Sequence, residues 1–166
     1  DGERVELLAN IEMPNDAKAA LEAGAVGVGL FRSEFLFMNR AGELPTEDEQ
    51  FEAYRAVVVA MSGSPVTIRT VDIGADKPLD RMTAGELRHE HGLNPALGLR
   101  AIRWSLSEPA MFRQQVRAIL RASAFGRVRL LIPMLTHVSE AAQVIDAIER
   151  AKQQLVDAAR PFGAIE

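Results

Sequence analysis

"VTIRTVDI", residues 66–73, decides the fold: a near-continuous apolar run rich in β-branched side chains reads as a strand covered on both faces. Period-two alternation puts Thr67, Arg69 and Val71 on one face and Val66, Ile68 and Thr70 on the other. Arg69 therefore projects into whatever the sheet encloses. Three runs of the same kind recur, "VELLANI" at 5–11, "AVGVGLF" at 25–31 and "VRLLIPML" at 128–135.

Helical text separates the runs. "NDAKAALEAG" offers Asn15 or Asp16 as N-cap and Gly24 as the C-terminal stop. "LPTEDEQFEAYRAVVVAMSG" begins on Thr46 followed by acids, and repeats Phe51, Tyr54 and Val58 at helical spacing. "NPALGLRAIRW" opens with Asn94 as cap and Pro95 in the first turn, and "SEPAMFRQQVRAILRASAFG" repeats that device at Ser107 and Pro109. There Phe112, Val116, Ile119 and Leu120 form an apolar stripe. A last helix runs from about Ser139 to Ala159, with Val144, Ile145, Ile148 and Leu155 inward. Between 74 and 93 lies a polar, glycine-containing segment that reads as a functional loop.

Strict alternation of strand and helix predicts an α/β protein with a parallel sheet. Two architectures fit, an open doubly wound sheet and a (β/α)8 barrel, of which four units are half. In either, ligands gather at the C-terminal ends of the strands. No linker divides the chain, so residues 1–166 read as a single fragment of one domain.

Composition narrows the function classes. With 166 residues and 48% hydrophobic content the chain can bury a core. Its 19 basic and 23 acidic residues give a net charge of -4, which provides no general basic field for nucleic acid. Any anion site must be local. Cysteine is absent, no apolar run reaches membrane-spanning length, and the first residues lack the pattern of a signal peptide. A cytoplasmic protein without membrane insertion is the expectation, and because residue 1 is not Met the chain is expected to begin inside a longer one.

Arg32, in "GVGLFRSEF" at 27–35, and Arg69 share a position type, each at or near the C-terminal end of an apolar strand. Glu34 and Asp72 are candidate internal partners for them. Two arginines projecting into one pocket would repel, however, unless an anion lay between them. A phosphate or carboxylate held by bidentate contacts suits that position. Arg100 lies near the start of the "NPALGLRAIR" helix and is the third candidate, with Arg103 beside it favouring a solvated face. The row Arg113, Arg117 and Arg121 reads as a solvated face or as pairing with acids of another helix. Asp72, Asp76, Lys77 and Asp80 lack calcium-loop spacing, and His89, His91 and His137 have no partner at triad-like spacing. The glycines of "GVGLFR" fit neither phosphate-loop pattern and read as sites of close packing.

"VELLANIEMPNDAKAALEAGAVGVGLFRSEFLFMNR", "LPTEDEQFEAYRAV", "VTIRTVDIGADK", "NPALGLRAIR" and "RAILRASAFGRVRLLIPML" together resemble the enzyme I family of the bacterial phosphoenolpyruvate-dependent sugar phosphotransferase system, the phosphoenolpyruvate-protein phosphotransferases. Pyruvate phosphate dikinase and phosphoenolpyruvate synthase carry similar motifs. A dimerisation or interaction module that kept the fold without the chemistry is the non-enzymatic alternative. The resemblance implies a TIM-type (β/α)8 barrel, of which this chain holds about the first four units. It implies phosphoenolpyruvate as ligand, with Arg32, Arg69 and Arg100 as substrate-binding residues. It also implies magnesium in the intact enzyme, with protein ligands beyond this chain, and a homodimer. In such an enzyme a histidine on a preceding domain receives the phosphoryl group and passes it to a histidine-containing phosphocarrier protein, for sugar uptake or nitrogen-related regulation. No catalytic or metal-binding residue of the family falls within this chain, which is expected to be inactive alone. A broken barrel is also expected to leave unpaired strand edges near 5–11 and 128–135.

Overall fold

The computed structural model describes residues 2–3, 5–38, 40, 43–73 and 97–166. The segment read as a functional loop, 74–93, lies outside the described residues, as do Asn94, Pro95, Asp76, Lys77, Asp80, His89 and His91. The described elements are β1 (Ala9–Ile11), α1 (Asp16–Glu22), β2 (Val28–Arg32), α2 (Glu47–Ala60), β3 (Val66–Arg69), α3 (Ile102–Ser107), α4 (Pro109–Ala122), β4 (Val128–Leu131) and α5 (Val138–Asp157). Short 3-10 turns follow β2 at Ser33–Leu36 and α4 at Ser123–Phe125. All strand pairings are parallel and the sheet order is β1-β2-β3-β4. This is the α/β alternation expected of a partial TIM-type barrel.

One face of the sheet is covered by helices. Phe31, Val66, Ile68 and Val128 pack against Tyr54, Val57, Val58 and Met61 of α2 and Ala118, Ile119 and Ala122 of α4. Each fully buried side chain of this size contributes about 1.5–3 kcal/mol. The Phe31 and Tyr54 rings meet edge to face at 5.8 Å. A second cluster joins Ile102, Phe112, Val116 and Leu120 to Val144, Ala151 and Leu155 of α5. Because Phe31, Val66 and Ile68 turn toward the helices, strand alternation sends Arg32, Thr67 and Arg69 to the opposite face. No described helix is long and apolar enough to cross a membrane.

The helix signals hold unevenly. Thr46 and Glu49 form the capping box at α2: Thr46 Oγ1 accepts from Glu49 N at 3.2 Å and Glu49 Oε2 accepts from Thr46 N at 2.8 Å. Arg40 also donates to Glu49, and together with Thr46 it lowers that carboxyl from 4.5 to about 2. At α1 neither candidate caps the helix. Asn15 makes no capping bond, while Asp16 Oδ2 accepts from Met13 N at 2.9 Å and closes the preceding turn. Gly24 does end this segment, at φ +88°. The N-cap of α4 is Glu108, because Ser107 Oγ donates instead to the Trp104 carbonyl at 2.8 Å. α5 starts one residue early because the His137 ring accepts from Ser139 N.

Every strand is shorter than its apolar run. In the first run only Ala9–Ile11 is strand, and Val5 and Leu7 stay exposed, since among the described residues β1 has a ladder partner on one side alone. β4 stops at Leu131, two residues before Pro133, which has no N–H to give a ladder. Its outer edge is not bare, contrary to expectation: Val128 bridges Ile165 in parallel, and Leu130 N donates to the Glu166 carbonyl at 2.9 Å. Ile145 is 62% exposed rather than inward, since it lies on the side of α5 facing a shallow groove with Ile132, Leu135 and Ile148. The packing reading of the glycines holds at Gly27, where a Cβ would meet the Pro65 carbonyl oxygen at 2.7 Å.

Candidate functional site

Strand pairing brings the two leading candidates together. Arg32 and Arg69 are register partners at the C-terminal ends of β2 and β3, on the face turned away from the helices. Adjacent parallel strands lie about 4.8 Å apart, so two guanidinium groups start from neighbouring backbone positions. Three carboxylates offset this charge. Arg32 Nη2 pairs with Glu12 at 2.9 Å, and its Nε donates to Asn10 Oδ1 at 3.3 Å. Arg69 Nη2 pairs with Glu34, and its Nη1 lies 3.4 Å from Asp72. Asp72 Oδ1 in turn accepts from Arg100 Nε at 3.2 Å and Nη2 at 3.1 Å.

The internal ion pairs raised for Arg69 from sequence therefore form, and Asp72 draws Arg100 to the same cluster. Arg100 arrives by a route different from the one expected. It does not sit in the first turn of a helix: the chain from 97 to 101 is turn, α3 begins at Ile102, and Ala101 adopts φ +51°.

The three arginines are held with unequal force. Glu34 is fully buried and Arg69 is 18% exposed, so each would be costly to leave alone. The Glu34 Oε2 and Arg69 Nε atoms are buried without a partner. Arg32 and Glu12 are 33% and 39% exposed, and solvent screens their pair to about 0–1 kcal/mol. Arg32 is thus the arginine most easily taken over by an incoming anion, while Arg69 is braced in place.

Behind the strand tips lies a buried polar chain that sequence reasoning did not find. Gln115 of α4 accepts from Val71 N at 3.0 Å and donates to Ser33 Oγ and to the Tyr54 hydroxyl, both at 3.1 Å. Burial raises the Tyr54 pKa, so the phenol stays protonated and donates to Gln50 Oε1 at 3.2 Å. Asn10 and Glu12 were missed as well. Their signal was available, since Glu12 follows the tip of β1 two residues after Asn10, as Glu34 follows Arg32.

Two members of the arginine row on α4, Arg117 and Arg121, take its pairing reading. Arg117 Nε donates to Glu47 at 2.6 Å, and Arg121 reaches both Glu47 at 2.7 Å and Asp48 at 2.6 Å while stacking over Phe51. These bonds weld α4 to the first turn of α2. His137 caps α5. Among the described residues no group of three His, Asp or Glu side chains converges to hold a metal ion, and Glu12, Glu34 and Asp72 each face an arginine.

A sequence of this kind is matched along residues 1–164 by the family described as PEP-utilising enzyme, PEP-binding domain. The chain belongs to that family. Similar proteins named phosphoenolpyruvate-protein phosphotransferase occur in Cupriavidus necator, 70% identical over 155 residues, in Staphylococcus carnosus, 51% over 140, and in Bacillus subtilis, 48% over 158. The alignments cover 93%, 84% and 95% of this chain but 26%, 23% and 27% of those proteins. The chain thus spans about a quarter of the length of these relatives. Arg32 and Arg69 stand at the C-terminal strand ends, where a parallel α/β sheet gathers ligands.

Proposed function

We propose that this chain is the phosphoenolpyruvate-binding part of a phosphoenolpyruvate-protein phosphotransferase, with Arg32 and Arg69 holding the phosphoryl group and Arg100 assisting. The observation that carries the proposal is the register pairing of Arg32 with Arg69 at two adjacent strand ends. A ligand with two or three negative charges replaces the weak Glu12 contact of Arg32 and shares Arg69 with Glu34 and Asp72. Phosphoryl transfer asks of a protein mainly positioning and charge stabilisation, which fixed guanidinium groups supply. The phosphorus–oxygen bond to the enol breaks, a phosphorus–nitrogen bond to a histidine outside this chain forms, and the enolate takes up a proton to give pyruvate.

The names of the similar proteins support this reading over a dikinase or synthase. In the same proposal the phosphoryl group passes onward to a histidine-containing phosphocarrier protein. The intact protein is a cytoplasmic homodimer serving sugar uptake or nitrogen-related regulation, with magnesium held by residues outside this chain. The 166-residue chain alone carries one wall of the site, binds phosphoenolpyruvate weakly and turns over none.

The test is calorimetric titration of phosphoenolpyruvate into the protein at its native length, with Arg32→Met, Arg69→Met and Arg113→Ala compared. Each charge-assisted bond lost contributes about 1.5–3 kcal/mol, so either of the first two variants should bind at least tenfold more weakly. Arg113→Ala should bind as the parent does. Unchanged affinity in both Arg32→Met and Arg69→Met refutes the assignment.

A further inference from the structure

Gln115 is completely buried in a helix whose neighbouring inward residues, Met111, Phe112, Val116, Ala118 and Ile119, are apolar. A methionine or leucine would fill the same space. A buried amide is tolerated when its polar atoms find partners, and those of Gln115 do. Its oxygen accepts from Val71 N, and its nitrogen donates to Ser33 and Tyr54.

The positions of those partners give the arrangement its meaning. Ser33 follows Arg32 directly and begins the 3-10 turn that carries Glu34, the buried acid of Arg69. Val71 immediately precedes Asp72, the acid shared by Arg69 and Arg100. One amide is therefore bonded beside both segments from which the charged cluster emerges.

It also takes over where strand pairing ends. β3 finishes at Arg69, Thr70 N still donates to the Leu131 carbonyl at 3.0 Å, and the next N–H, that of Val71, turns to Gln115 at 3.0 Å. Past that point the Ser33 hydroxyl, just after β2, and the Val71 backbone N–H, just after β3, are joined through a helix side chain. On the far side, Tyr54 and Gln50 carry the chain of bonds to the Pro45 carbonyl, so α2 holds the amide in one orientation. Small shifts of groups that position a ligand are costly; a displacement of about 1 Å can cost up to a hundredfold.

We infer that Gln115 is a positioning residue: it fixes the separation of the Arg32 and Arg69 strand tips and thereby the affinity for the anion they share. The role presupposes that these arginines bind phosphoenolpyruvate. It is tested by titrating phosphoenolpyruvate into the native-length protein carrying Gln115→Met, Ser33→Ala or Val144→Ala, beside Arg32→Met and Arg69→Met, at a temperature where each variant is folded. Gln115→Met keeps the volume and removes the bonds, and is expected to weaken binding about tenfold. Ser33→Ala removes one arm and should weaken it less. Val144→Ala destabilises the second core cluster away from the tips and should leave the affinity unchanged.

Parent-like binding by Gln115→Met, or equal weakening by Val144→Ala, overturns the role. If Gln115→Met does not fold, Ser33→Ala decides, and an unchanged affinity there overturns it. Loss of binding in the two arginine variants alone refutes the clamp while leaving the site intact. Parent-like binding in the arginine variants removes the site itself and the clamp with it.

Discussion

Removing Arg69 should harm folding far more than removing Arg32, although both occupy the same register position. Arg69→Met leaves the Glu34 carboxylate in a fully buried place, where its second oxygen already lacks a partner. Deleting one member of a buried ion pair costs about 3–5 kcal/mol, because the surviving charge is neither hydrated nor matched. Arg32→Met removes a pair whose members are 33% and 39% exposed, worth about 1 kcal/mol at most. For a domain of this size each kcal/mol moves the midpoint by roughly 2–4 °C, so Arg69→Met should lower Tm by roughly 6–20 °C and Arg32→Met by no more than about 4 °C. Adding Glu34→Gln to Arg69→Met removes the stranded charge and should restore most of the loss, which a double-mutant cycle reads directly. Thermal and urea unfolding followed by circular dichroism supply the numbers. Equal destabilisation by the two arginine variants, or no recovery in the double variant, would refute this account of the burial asymmetry.

Three further outcomes follow from features outside the arginine pair. Glu49, held at about 2 by Arg40 and Thr46, adds stability in full above its ordinary value of 4.5 and loses it as pH falls through 2. The parent should therefore exceed Glu49→Gln in stability near pH 6, with the gap closing toward pH 2; a gap that widens on acidification contradicts the pairing. Gly27→Ala would press a Cβ to 2.7 Å from the Pro65 carbonyl oxygen, a backbone atom that cannot swing aside, and should cost about 1–3 kcal/mol in urea unfolding. A cost below about 0.5 kcal/mol would show that the two strands can part there. The 166-residue chain, studied by itself, should self-associate with a second copy through the outer edge of β1, which has β2 as its sheet partner. Light scattering over a range of concentrations reads this, and a compact monomer that resists concentration counts against it.

Local features of the chain were legible where a short segment decides them. The Thr46 capping box, the Phe112 and Val116 stripe and the alternation from Val66 to Arg69 depend on a few neighbouring residues, and each stands in the structure as expected. The equivalence of Arg32 and Arg69 was legible too, because each lies at or near the C-terminal end of an apolar strand and parallel pairing sets such ends side by side. Strand lengths were not, since a run such as 5–11 becomes strand only as far as a neighbour offers ladder partners. Arg100 was misplaced relative to its helix because Ala101 breaks the backbone at φ +51°, a conformation for which alanine gives no warning. Gln115 left no trace in the sequence at all. Its partners stand 44, 61 and 82 residues away, and only the packing of α4 behind both strand tips brings them within reach.

The sheet is laid down in the order of synthesis, each strand beside the one before it and Ile165 again beside β4. No described strand waits for a partner more distant than its immediate predecessor, so chain-closure entropy is met in instalments rather than at once. A ribosome feeding out this polypeptide would thus release units that can dock in succession, and the growing margin is the place where a nascent chain is most open to capture by a chaperone or by another copy.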